Sequence, residues 1–134
     1  MHRQDRVVMK FGGKCLANFD LVMAVADYLK EYLNKKPGIK IIVVVSAMGE
    51  TTDGILNQIK EVAPNTFRNM PGMCIREIDQ LSAIGENISA GYLTLRLNEM
   101  GIAARSMNAF QLGIETSGPF QSALIRNLDR KSVV

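Results

Sequence analysis

Val7-Val8-Met9-Lys10-Phe11-Gly12-Gly13 is an apolar run with one cation near its end and two glycines behind it. Its β-branched and aromatic side chains predict a strand over residues 6–11. The glycines predict a tight turn in which no side chain shields the backbone. Successive N–H groups in such a turn can point at phosphate oxygens, and an ammonium beside them can neutralise the remaining charge. The bland reading is turn chemistry alone. Lys10 is accordingly either an edge residue whose stem lies along apolar surface or a functional charge. The spacing is not that of a Walker loop, nor of the G-x-G-x-x-G dinucleotide fingerprint.

Working outward, Ile39 to Val45 is apolar and mostly β-branched apart from Lys40. It reads as a strand over 39–46 buried on both faces, as in a parallel sheet. It runs into Ser46-Ala47-Met48-Gly49-Glu50-Thr51-Thr52-Asp53-Gly54, a loop rich in hydroxyls and glycine ahead of a predicted helix over 52–62. Ligands of open α/β sheets sit at the carboxyl ends of the strands, which would put Lys10 and Ser46 at one edge. Thr51, Thr52 and Asp53 could equally be helix caps. Further on, one helix is predicted over 75–84 and another over 86–100, with the junction at Gly85-Glu86. Glu86 would suit the positive end of the second helix, or it could receive the ammonium of a small substrate.

The other elements follow from periodicity. A helix over 18–34 carries Leu21, Val25, Tyr28, Leu29 and Tyr32 at helical spacing, a stripe expected to pack on the sheet. Pro37-Gly38 turns the chain into the second strand, and Pro64-Asn65, Pro71 and Gly72 mark a loop over 63–74. In the helix from Glu86, the residues Ile88, Tyr92, Leu95 and Met100 are expected in the core. A strand over 102–107 and a further β piece between 112 and 126 complete the layout. The expected architecture is a three-layer α/β/α sandwich with a mainly parallel sheet.

Composition narrows the function classes. The 134 residues suit one domain, and a hydrophobic share of 47% is enough for a core. A net charge of +3 is too modest to imply nucleic acid. Cys15 and Cys74 lack metal-ligand spacing, and reduced thiols are the expectation. His2 lies in a polar leader expected to be disordered. No secretory segment is visible, and the apolar stretch Leu21 to Leu33 is too short and too charged to span a membrane. No internal repeat or linker divides the chain.

Lys10-Phe11-Gly12-Gly13, then Val43 to Gly49 with Thr51-Thr52-Asp53, then Arg76-Glu77 with Asp79 and Gly85-Glu86, then Gly101-Ile102 with Ala104-Arg105-Ser106, Gln111 and Gly113-Ile114 occur in this order. This series resembles aspartokinase, of the amino-acid kinase superfamily, over residues 6–126. Single motifs are modestly specific; their succession is much more so. The resemblance implies an incomplete amino-acid kinase fold, with residues 1–134 forming its N-terminal portion and the nucleotide-binding half and regulatory ACT domains outside it. It implies that Lys10 contacts the transferring phosphate of ATP, bound as Mg-ATP. Phe11, Gly12 and Gly13 would then close the backbone on the phosphates, and Ser46 would sit beside phosphate and attacking carboxylate. Thr52 would bind L-aspartate through its hydroxyl, and Glu86 would pair with the substrate ammonium. No metal ligand of the chain's own is implied.

The implied reaction converts ATP and L-aspartate to 4-phospho-L-aspartate and ADP, at the head of lysine, threonine and methionine synthesis in the cytoplasm, with low or no activity expected of these 134 residues alone. An aspartate carboxylate, with an ordinary pKa of about 3.9, is already ionised at neutral pH and needs no general base. That agrees with the lack of a Ser-His or Cys-His pair. One departure stands out: where the family places Thr-Ser after Gly-Gly, this chain has Lys14-Cys15. Because the sheet would be incomplete, exposed edges are expected to recruit a second copy or a complementing kinase half. Two other functions stay open at this point: a non-catalytic module that binds an anion or a full kinase, and a kinase of the same fold acting on another carboxylate or carbamate.

Overall fold

In the computed structural model, residues 5–65 and 72–128 are described. The leader with His2, and Pro71 in the expected loop, lie outside them. Two parallel strands organise the molecule: β1 (Arg6–Phe11) and β2 (Lys40–Val45), paired from Arg6 opposite Lys40 to Phe11 opposite Val45. The crossover between them is α1 (Phe19–Lys35), started by Asn18, whose side chain accepts from the Leu21 N–H at 2.9 Å. An asparagine at that position satisfies one of the unpaired N–H groups of the first turn. After β2 come α2 (Thr51–Val62), α3 (Gly72–Ser82) and α4 (Ile84–Glu99), then the antiparallel pair β3 (Ile114–Ser117) and β4 (Leu124–Leu128).

The core lies between the β1–β2 sheet and the helices α1 and α4. Leu16, Val22, Val25, Ala26, Leu29, Leu93 and Leu97 form its buried centre, with Met9, Phe11, Ile41, Val43 and Val45 of the strands packed against it. Alternate strand residues thus face the helices, as the period of two requires. Val8 and Val44 on the opposite face are exposed. β2 is therefore half-buried, not buried on both faces as its composition suggested, because among the described residues the helices cover one face only. Helices and a parallel sheet so arranged form an α/β layer structure with one sheet face left open among the described residues. α2 packs on α3, and α3 on α4.

Several expectations are corrected. In α1 the buried stripe is Val22, Val25, Ala26 and Leu29, whereas Leu21 and Tyr28 are exposed. Tyr28 still meets Phe11 edge-to-face, with ring centroids 6.2 Å apart. In α4 the buried stripe is Gly85, Ser89, Leu93 and Leu97, so Tyr92 and Leu95 are 43% and 67% exposed. Small residues at 85 and 89 let that side of the helix approach its neighbours closely, and burial follows the side that can approach. The expected loop over 63–74 ends earlier, since α3 already begins at Gly72.

The expected strand over 102–107 does not form: the segment has no regular secondary structure and pairs with no strand. Ile102 and Ala104 pack toward the core. Ladder hydrogen bonds do not form, because an open groove of about 1000 Å³ separates this segment from β2. The segment is held instead by the Ile102 N–H donating to the Leu97 carbonyl at 2.9 Å and the Ala104 N–H donating to Asn98 Oδ1 at 2.9 Å. No helix among the described residues is long and apolar enough to cross a membrane.

Candidate active site

Beyond Phe11 the chain turns at Gly12, whose carbonyl accepts from the Cys15 N–H at 2.9 Å. This closes a short 3₁₀ turn over Gly13–Leu16. Leu16, fully buried, anchors the turn to the core, while Lys14 and Cys15 point to solvent. A Cβ built on Gly12 would meet nothing within 4 Å. The space over that peptide is open, as a backbone cradle for an anion requires.

The loop after β2 is fastened to this turn. The Ser46 N–H donates to the Phe11 carbonyl at 3.1 Å, extending the strand pairing one residue past β2. The Gly49 N–H donates to the Gly13 carbonyl at 3.3 Å. A Cβ on Gly13 would lie 2.8 Å from the Ala47 carbonyl oxygen, and Gly49 has φ of +48°. Both positions thus call for glycine, one for close approach and one for its backbone conformation.

The helices that follow bring in the remaining candidates. Thr51 is not a cap: its hydroxyl donates to the Met48 carbonyl at 2.6 Å, and Glu50 occupies the N-cap position without a side-chain hydrogen bond. Asp53 is exposed within the first turn of α2, and Thr52 is half-buried there. The break between α3 and α4 falls at Ala83, so Gly85 and Glu86 lie in the first turn of α4 and not at a helix junction. The reason is local: Ala83 keeps right-handed helical geometry and its N–H still bonds the Asp79 carbonyl at 3.1 Å, so the glycine breaks nothing. Gly85 is buried against the β2 loop, where a Cβ would meet Ala47 Cβ at 2.7 Å and Thr52 Oγ1 at 3.5 Å.

Gly12, Gly13, Ser46, Thr52 and the Gly85-Glu86 turn therefore gather at the C-terminal ends of β1 and β2, where open α/β sheets bind ligands. Glu86 is exposed and lines the groove beside β2. Lys10, opposite Val44 in the ladder, is exposed on the face away from the core helices. Among the described residues neither Lys10 nor Glu86 enters an ion pair, and the two do not pair with each other. Sequence reasoning missed Ala47. Its signal was a small residue between two glycine-bearing segments that must touch.

A model of the amino acid kinase family matches residues 5–134. This chain belongs to the amino acid kinase family. It is 37% identical over 123 residues to an aspartokinase of Geobacillus stearothermophilus, covering 92% of this chain and 28% of that one. It is 34% identical over 127 residues to an aspartokinase of Bacillus sp. (strain MGA3), covering 95% of this chain and 29% of the relative. Among solved structures, the aspartate kinase from Synechocystis superposes with a TM-score of 0.67 at 34% identity, over 80% of this chain and 17% of that one. The chain thus spans less than a third of the length of these relatives.

Proposed function

We propose that this chain supplies the aspartate-binding and phosphate-binding loops of an aspartate kinase. The observation that carries this reading is the convergence of the Gly12-Gly13 turn, Ser46, Thr52 and the Glu86 turn at one end of the β1–β2 pair. L-Aspartate would be held with its ammonium at Glu86 and a hydrogen bond from Thr52. The backbone at Phe11, Gly12 and Gly13, with Ser46 and Lys10, would face the phosphates of ATP. In the reaction, an oxygen of the aspartate side-chain carboxylate attacks the γ-phosphorus. The bond from that phosphorus to the β,γ-bridging oxygen breaks, and ADP leaves with the electron pair. No proton moves, and positioning and charge stabilisation supply the catalysis.

Among the described residues no three His, Cys, Asp or Glu side chains converge as metal ligands. Mg²⁺ would enter on the ATP phosphates, where it neutralises charge. Lys14 and Cys15 are given no role. The reading carries with it a cytoplasmic setting, a step in lysine, threonine and methionine synthesis, and a second copy or a complementing kinase half.

The test is calorimetric titration with L-aspartate. Binding is expected, and Glu86→Gln should weaken it by roughly tenfold or more, since a hydrogen bond to a charged group contributes about 1.5–3 kcal/mol. Equal affinity in a folded Glu86→Gln protein would remove Glu86 from the site. Failure of the folded parent chain to bind L-aspartate at all would overturn the reading.

A further inference from the structure

We propose that Gly85 and Ala47 are a matched steric pair that sets how closely the first turn of α4 sits on the β2 loop, making Gly85 a positioning residue for Glu86. Gly85 is buried in the second position of its helix, where glycine is a poor helix former. Helix propensity does not explain it; the contact does. A Cβ at this position would lie 2.7 Å from Ala47 Cβ, closer than two such carbons can approach. The Ala47 carbonyl oxygen in turn lies close to Gly13, where a Cβ would meet it at 2.8 Å. Ala47 itself is buried. The loop after β1, the loop after β2 and the start of α4 thus meet at one alanine, whose methyl has no rotamer by which to move aside.

Two candidate ligand-binding side chains hang on this contact. Glu86 is the next residue of the α4 turn. Thr52 has its hydroxyl 3.5 Å from the same built Cβ. A larger residue at 85 would push the α4 turn off the loop and shift Glu86 with it. A smaller residue at 47 would make room again. The geometric part stands on the packing alone; its consequence for L-aspartate rests on the proposed function.

Three variants test it: Gly85→Ala, Ala47→Gly, and the two together. The amide resonances of Thr52 and Glu86 in ¹⁵N-labelled protein without ligand report the geometry. They should move in Gly85→Ala and return toward their parent positions in the double variant. L-Aspartate affinity should fall roughly tenfold in Gly85→Ala, as expected for a small misplacement of a binding group, and recover to within about threefold in the double variant. Unmoved resonances in Gly85→Ala would overturn the pairing. If Gly85→Ala does not fold, a double variant that also does not fold overturns it as well, while one that folds with parent-like resonances supports it. Resonances that move and return in a parent chain that binds no L-aspartate would leave the steric pair standing and the proposed function fallen.

Discussion

The loop cluster around Ala47 and the β3–β4 hairpin are built on opposite terms. In the cluster, a Cβ on Gly13 would meet the Ala47 carbonyl oxygen at 2.8 Å and one on Gly85 would meet Ala47 Cβ at 2.7 Å, closer than either position could accept. In the hairpin, every residue of β4 is exposed, and the turn carries positive φ at Gly118 and at Gln121. A hydrogen bond from the Gln121 N–H to Asp79 Oδ2 at 2.8 Å ties the hairpin turn to α3. Tight packing leaves a group one position, whereas exposed strands tied by surface hydrogen bonds keep more freedom. The rigid region is the one where the candidate ligand groups converge, which is where preorganisation would be useful.

The comparison can be broken or sharpened by substitution, starting with the core that supports the cluster. Leu29 is only 1% exposed in the packing of α1 against the sheet. Leu29→Ala should cost about 3 kcal/mol of stability in denaturant unfolding, from lost burial and the cavity left behind. Gly13→Ala should cost roughly 1–3 kcal/mol, because the new methyl meets a backbone oxygen that cannot rotate away. That variant should also weaken L-aspartate binding, since the two loops must part. Asp79→Ala should cost about 1 kcal/mol or less. It should speed amide exchange in residues 114–128 and leave L-aspartate affinity unchanged. If Asp79→Ala disturbed the ligand as much as Gly13→Ala did, the contrast between the two regions would be wrong.

Much of this was readable before the structure. The strand-then-glycine pattern located β1 and its turn, and the apolar run from Ile39 located β2, because a continuous β-branched stretch has few other uses. Lys10 and Ser46 were placed at one edge by the rule for parallel strands, whereas Thr52 and Glu86 joined them only through the family resemblance. What sequence could not give was orientation within elements. α4 has apolar residues on two sides, and periodicity alone does not say that Leu93 and Leu97 go in while Tyr92 and Leu95 stay out. The choice depends on small residues at 85 and 89 meeting another segment, which is a tertiary fact. For the same reason Gly85 read as a helix breaker, when its missing side chain serves a contact. Residues 102–107 read as a strand, but a strand needs a hydrogen-bonded neighbour, and that is not a local property.

The most direct test of the central claim is to titrate the ¹⁵N-labelled chain with L-aspartate and follow its amide resonances. The account predicts saturable shifts at Gly12, Gly13, Ser46, Thr52, Gly85 and Glu86, with residues 114–128 unmoved. Shifts confined to the hairpin, or none anywhere in a folded chain, would contradict it.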